Sequence, residues 1–317
     1  MKICMVGLGS MGTRHLKNLH RLFNGKSEPL QIDALRSALH GGTRPVLPEV
    51  SALINREYDS FEKLPDDYDV AFIANPTDLH FGSVRAVISK ARHLFIEKPV
   101  FDRSDLDWEA LPWRTDGIYY VACPLRYHRV VQYIKNQLTG GLRAHAVRSI
   151  CSSYLPDWRP GTDYRQSYSA SKERGGGVRI DLIHEWDYLY YLFGAPLEVA
   201  ELHGTFSTLD ISSEDVAVYV AGYRDKVVSL HLDYFGRFSR REIELYGSED
   251  ILVGDLIGQR VRYLRAGEVI DLPQERDEMQ LSELVSFFEM IAGKQSNHNP
   301  VRTAVNTLKI ALGEFSI

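Results

Sequence analysis

"KICMVGLGSMGTRHLKNLH", residues 2–20, opens on a short apolar run of strand length, turns through Gly7, Gly9 and Gly12, and continues with Leu16 and Leu19 at helical spacing. The glycines stand as GxGxxG between a strand and a helix, a context that an ordinary glycine turn does not share. Gly7 permits the tight turn, Gly9 lets the backbone approach a pyrophosphate, and Gly12 lets the helix pack on the strand. The first turn of the helix, from Gly9 through Ser10 and Met11 to Gly12, then offers its N–H groups and the positive end of its dipole to the anion. A dinucleotide cofactor is the ligand that this arrangement takes.

A second apolar run, LQIDALRS at residues 30–37, falls where the next strand of such a unit meets the adenosine ribose. Reading the strand to end at Leu35 leaves Arg36 and Ser37 beyond it, whose charge and hydroxyl suit a 2′-phosphate and point to NADP. The alternative ends the strand at Asp33, makes Arg36 a solvated cation and returns the preference to NAD. In YDVAFIANPTDLHFGSVRAVISKARHLFIEKPV, residues 68–100, Val70 to Ala74 and His93 to Ile96 read as buried parallel strands, with a crossover helix carrying Val84, Val87 and Ile88. This alternation predicts a doubly wound sheet, in which ligands bind beyond the carboxyl ends of the strands. Asn75, Pro76 and Thr77, His80, and Glu97 with Lys98 fall there as cofactor contacts, Lys98 toward the nicotinamide.

The chain has 317 residues, room for two domains, with 44% apolar and 25% charged residues, the balance of a protein that folds in water. The expected division is a dinucleotide-binding Rossmann domain at 1–122, with a C-terminal helix at 300–317 packing back on it, and a substrate-binding and oligomerisation α/β domain at 123–299. After Glu198, alternating runs separated by turn signals predict an open, mostly antiparallel sheet, with one face on helices and the other available to a second copy of the chain. The net charge of −5 argues against nucleic acid or an anionic membrane as partner. Cys4, Cys123 and Cys151 show no CxxC spacing, so neither a disulfide framework nor a zinc site is expected, and a reducing cytoplasm fits. No stretch has the length and apolarity of a membrane span or a signal peptide.

GLGSMG at the start, NPTDLH after one strand, EKP after the next and GGGVRIDLIHEWDYL at residues 175–189 occur in that order. Together they resemble the Gfo/Idh/MocA family of glucose-fructose oxidoreductase, inositol dehydrogenase and their relatives, over nearly the whole chain. The resemblance implies a Rossmann domain, a C-terminal α/β domain whose sheet often makes an oligomer interface, and oxidation or reduction of a carbon bearing oxygen on a sugar or cyclitol. It places the EKP lysine at Lys98 and the acid/base histidine at His184. Asp181 lies three residues before that histidine, where the family commonly has an aspartate four before it. LRYHRVV and the segment leading to the glycines look most like members that act on surface-polysaccharide or nonulosonic-acid sugars.

The residue types suit such chemistry. At about 100° per residue, Asp181, His184, Glu185 and Tyr188 share one helix face, with Leu182, Trp186, Leu189 and Phe193 as a separate apolar stripe. The polar face is expected to line a site: His184 moves the hydroxyl proton, Lys98 steadies charge on the same oxygen, and Asp181 or Glu185 holds the imidazole tautomer. Residues 123–179 carry ten Lys or Arg against three acids, a local +7. With Tyr154, Trp158 and Tyr168 for stacking and Arg126, His128 and Arg165 for polar contacts, this patch points to an anionic sugar or nucleotide-sugar. The expectation is an NAD(P)-dependent oxidoreductase of such a sugar. The alternatives are a glycoside hydrolase that uses bound NAD, and a non-catalytic sugar- or cofactor-binding protein.

Overall fold

Six strands make the first sheet of the computed structural model, which describes residues 1–25, 29–36 and 47–315. They are β1 (Lys2–Val6), β2 (Gln31–Leu35), β3 (Arg56–Tyr58), β4 (Tyr68–Ile73), β5 (Ala91–Ile96) and β6 (Tyr119–Val121), in the order β3-β2-β1-β4-β5-β6. Every pairing is parallel, in register Cys4 to Asp33 and Cys4 to Ala71 at the centre. The strands are nearly continuous apolar runs because helices bury them. Helix α1 (Ser10–Phe23) turns Leu16, Leu19 and Phe23 inward at the expected spacing. A short α2 (Pro48–Ser51) and α3 (His80–Val87) complete the crossovers before β5. Strand order reverses at β1, which lies between β2 and β4, and that reversal opens a crevice at their carboxyl ends.

The second unit begins with α4 (Arg129–Thr139) and β7 (Ala144–Tyr154), followed by α5 (Val178–Asp181) and α6 (His184–Phe193). Strands β8 (Glu198–Gly204), β9 (Val216–Gly222), β10 (Val227–Asp233), β11 (Phe235–Gly247), β12 (Ile251–Asp255), β13 (Arg260–Tyr263) and β14 (Glu268–Asp271) follow. With β7 they form an eight-stranded sheet in the order β14-β13-β12-β11-β7-β10-β9-β8, antiparallel except for the β10–β7 pair. Its inner face carries Val147, Tyr219, Leu230, Ile243 and Leu245, all buried. Helix α6 lies on that face, Trp186 meeting Tyr219 edge-on at 5.3 Å and Tyr188 hydrogen-bonding Ser149 at 2.7 Å.

The units are residues 1–122 with 280–305, and residues 123–279 with those from 306 onward. This differs from the expected boundaries at the C-terminal end. Helix α7 (Glu278–Ile291), read from sequence into the second domain, packs with the first. Phe287 joins an aromatic cluster with Phe72, Phe95 and Tyr120, and Tyr120 Oη donates to Glu283 at 3.1 Å. An amphipathic face announces burial but not which core receives it. Helix α8 (Val301–Ala311) likewise does not pack wholly on the first unit. Its end is tied into the second, where Tyr219 Oη donates to Ala311 O at 2.7 Å and Arg179 to Leu312 O at 3.1 Å. No helix among the described residues is long and apolar enough to cross a membrane.

Candidate active site

At the carboxyl end of β1 the chain turns through Gly7 at φ +93°, where a Cβ would stand 2.7 Å from Asn75 N; a Cβ on Gly12 would stand 2.2 Å from Gly7 O. Around Gly9 nothing lies within 4 Å of the Cβ position, and Gly9 caps α1 with no side-chain hydrogen bond. Sterics thus demand glycine on two sides of the turn while the third side is open, the cradle a pyrophosphate needs. Ser10 and Met11 open the helix there. Strand β2 does end at Leu35: Asp33 is buried and accepts from Tyr68 Oη at 2.9 Å, so its carboxylate is spent inside the sheet. Arg36 follows the strand and pairs with Glu57 at 3.1 Å, while Ser37 lies outside the described residues.

The next two strand ends are cross-tied. Asn75 donates to Ser83 Oγ at 2.8 Å, with Pro76 and Thr77 following it into a short 3-10 turn. His80 is buried with its ring nitrogens 2.9 Å from Pro99 O and 3.0 Å from Asn75 O. Burial pushes its pKa down even though both carbonyls favour the protonated ring. His80 therefore ties one loop to the other rather than presenting its ring to a ligand. Glu97 accepts from His15 Nε2 at 2.5 Å and from the Lys98 backbone N at 3.2 Å. Burial pushes its carboxyl up, but the His15 hydrogen bond and charge, with Lys98, outweigh it and leave Glu97 below the usual range. A buried carboxylate thus anchors the backbone of Lys98 at the end of β5. His15, buried on α1, had no signal in the sequence beyond its helical register.

In the second unit the glycines lead into a broken helix. A Cβ on Gly176 would lie 2.1 Å from Tyr168 O, and Gly177 stands at φ +131°. Helix α5 stops at Asp181 and α6 begins at His184, so Asp181 leaves the expected shared face, while His184, Glu185 and Tyr188 stay together on α6. Asp181 turns to Tyr234 Oη, which donates to it at 2.6 Å. Glu185 and Tyr188 are fully buried against the sheet rather than lining an open surface. His184 Nε2 accepts from the guanidinium of Arg241, whose Nε lies 2.9 Å from Glu185 Oε1. A guanidinium only donates, so the imidazole is neutral and carries its proton on Nδ1. Glu185 Oε1 lies 3.5 Å from His184 Nε2, and burial pushes the Glu185 carboxyl up while Arg241 pulls it down.

Half of the patch's cations are paired within their own unit. Arg126, expected to contact substrate, makes a buried bidentate pair with Asp187 at 2.8 and 2.9 Å. Arg129 pairs with Glu278, Arg148 with Glu244, Arg165 with Asp163 and Asp210, and Arg179 with Glu201 and Glu214. Most of those acids lie outside residues 123–179, which is why the local charge sum misled. His128, also expected at substrate, is buried and caps α4, accepting from Val130 N at 3.2 Å; burial and the charge of Arg241 push its pKa down to about 4. Tyr168 donates to Gly175 O at 2.7 Å, holding the glycine turn. Tyr154 lies beneath the guanidinium of Arg237, 3.7 Å from ring centroid to Cζ. Trp158 is half exposed, donates to Ser153 Oγ and meets Tyr234 edge-on at 5.3 Å. Trp158, Tyr234 and Asp181 thus form one chain of contacts. Tyr234 and Arg241 were missed from sequence, although alternation in RREIELYG puts Arg241 on the same face as Ile243 and Leu245.

Residues 1–109 match the family described as "Oxidoreductase family, NAD-binding Rossmann fold", and residues 132–253 match the "GFO/IDH/MocA C-terminal domain". The chain belongs to the Gfo/Idh/MocA oxidoreductase family. A curated relative of this family member is myo-inositol 2-dehydrogenase of Thermotoga maritima, 25% identical over 274 residues, which span 80% of this chain and 75% of that protein. Among solved structures, levoglucosan dehydrogenase in complex with NADH and levoglucosan superposes with a TM-score of 0.80 at 18% identity, covering 99% of this chain and 96% of that one. UDP-N-acetylglucosamine 3-dehydrogenase from Acidithiobacillus ferrooxidans gives 0.76 at 19% identity with the same coverage. At such identities the superpositions establish the fold alone.

Proposed function

We propose that this Gfo/Idh/MocA oxidoreductase transfers a hydride between NADP, or NAD, and a secondary alcohol or ketone of a sugar that carries an anionic group or a nucleotide. The observation that carries the reading is the neutral imidazole of His184, whose Nε2 lone pair faces a hydrogen-bond donor. The glycine turn fits a dinucleotide, with the N–H groups at Gly9, Ser10 and Met11 on its phosphates and Asn75, Pro76, Thr77 and Lys98 at the next strand ends. When bound, the dinucleotide supplies the hydride acceptor or donor. His184 takes the hydroxyl proton at Nε2 in oxidation and returns it in reduction. The Lys98 ammonium steadies negative charge on the reacting oxygen, with its backbone fixed by Glu97. Asp181, held by Tyr234, serves in this reading as a hydrogen-bond partner of the substrate. The names of the relatives support a polyol or sugar, and the anionic group rests on Arg237 and Arg241 in the unit that holds His184.

Two experiments test this. Fluorescence titration with NADPH and NADH, followed by cofactor absorbance on a panel of nucleotide-sugars, sugar acids and neutral sugars, reads binding and turnover. Cofactor binding without redox change on any of them sinks the dehydrogenase. The preference for NADP rests on Arg36 at the end of β2, so Arg36→Ala is expected to weaken NADPH by about tenfold or more, the scale of a hydrogen bond to a charged group. Equal losses for NADPH and NADH reverse the preference.

We also propose a homo-oligomer built on the outer face of the second sheet, where Leu202, Val220 and Val227 are exposed. Light scattering at micromolar concentration is expected to give a multiple of 36.1 kDa, and a monomer there removes the proposal. The proposed compartment is the cytoplasm, in keeping with three buried cysteine thiols outside any disulfide.

A further inference from the structure

The inner face of β11 runs Arg241, Ile243 and Leu245, and β7 sets Cys151, Ser149 and Val147 opposite them. The other positions of this face are small or apolar, so packing alone does not call for an arginine at 241. Placing a charge on a core face is costly unless it is paired. Arg241 is paired twice, through Nε with Glu185 and through its terminal nitrogen with His184 Nε2.

The titratable groups set around Arg241 and Glu185 carry no competing positive charge. On α6, Glu185 lies against it and Tyr188 is kept protonated by burial. On β7, burial raises the Cys151 thiol to about 12; His128, before α4, is neutral near pH 7; Asp181 on α5 accepts from Tyr234. Arg241 is a permanent cation at this imidazole.

A histidine whose Nε2 accepts from a guanidinium cannot take a proton there while the bond lasts. For His184 to act as base through Nε2, the Arg241 nitrogen must move off and turn to another acceptor, while Nε stays paired with Glu185. Glu185 cannot follow it, being fully buried within α6. The replacement acceptor therefore comes from the open side of the guanidinium, where a ligand's oxygen would compete with water. Carboxylate and phosphate oxygens match a guanidinium edge best, and the Arg241 side chain remains 26% exposed to receive one.

We propose that Arg241 is a positioning residue that caps Nε2 of His184 in the resting enzyme and releases it when an anionic oxygen of the substrate takes over the guanidinium. One hydrogen bond is exchanged for another. In oxidation Nε2 is then free to take the hydroxyl proton, and a bound oxidised dinucleotide would accept the hydride from the same carbon. Neutral sugars leave the base capped, so anion recognition and base activation are one event. The proposal rests on the anionic-sugar dehydrogenase reading for the identity of the ligand, and its test reads the imidazole itself.

The test is an NMR pH titration of His184 in the ¹⁵N-histidine-labelled full chain, wild type and Arg241→Gln. Each is measured at constant ionic strength alone and with D-glucuronate, inorganic phosphate or glucose. A like charge close by disfavours the imidazolium, so the wild-type midpoint is expected about one unit below that of Arg241→Gln. Glucuronate or phosphate is expected to raise the wild-type midpoint toward the variant and to leave the variant where it was; glucose is expected to move neither. Equal midpoints in wild type and variant overturn the cap. A wild-type midpoint that neither anion moves overturns the release. Should Arg241→Gln fail to fold with Glu185 left unpaired, the double variant Arg241→Gln, Glu185→Gln takes its place in the same comparisons. No turnover is read, so failure here leaves the dehydrogenase standing, and failure of the dehydrogenase assay leaves this titration intact.

Discussion

His184→Ala is expected to lower turnover by about 100-fold or more, the usual contribution of a positioned general acid-base group. The proton of the reacting hydroxyl has to leave as the carbon loses hydride, and the neutral imidazole on the first turn of α6 is the base proposed for it. Affinity for NADPH is expected to stay within about twofold of wild type, since the contacts proposed for the dinucleotide come from the first unit. Steady-state kinetics on the best substrate from the sugar panel, with the cofactor titration beside it, separates these effects. Turnover at the wild-type rate removes His184 from the mechanism; parallel loss of cofactor affinity points instead to a disrupted fold.

Arg126→Ala is expected to cost about 3–5 kcal/mol of stability, the range for removing one partner of a buried ion pair and stranding the other charge. Arg126 is 2% exposed. Two of its hydrogen bonds go to Asp187 on α6, and its guanidinium stacks 5.3 Å from the Tyr191 ring. Loss of the pair loosens the helix that carries His184, so the denaturation midpoint falls. KM for substrate in the fraction that remains folded is expected to be unchanged. Unchanged stability with a raised KM would return Arg126 to the substrate, where its charge alone had placed it.

These two residues mark where the sequence was legible. The sequence singled out His184 because a motif names it and because histidine chemistry suits the task. Arg126 was misassigned because a basic residue in a basic stretch looks available until its partner is known, and Asp187 lies 61 positions away. The same reason paired half of the patch's cations, mostly with acids outside it, and took His128 and His80 into structural roles. Periodicity also overran a break: residues 178–193 carry a helical pattern, but two turn residues separate Asp181 from His184 and send the two side chains to different partners.

By itself the sequence determined the strand–glycine–helix opening, the parallel sheet and the mostly antiparallel second sheet, and it singled out Lys98 and His184 as the residues to test. All of these depend on local periodicity, on glycine sterics or on a motif contained in a few residues. Only the tertiary structure decided that α7 completes the first core, that Glu97 answers His15, and that Arg241 stands on His184 with Glu185 behind it. Those outcomes depend on pairings between distant segments, and a charge or an amphipathic face declares a need for a partner without naming which one the fold will bring.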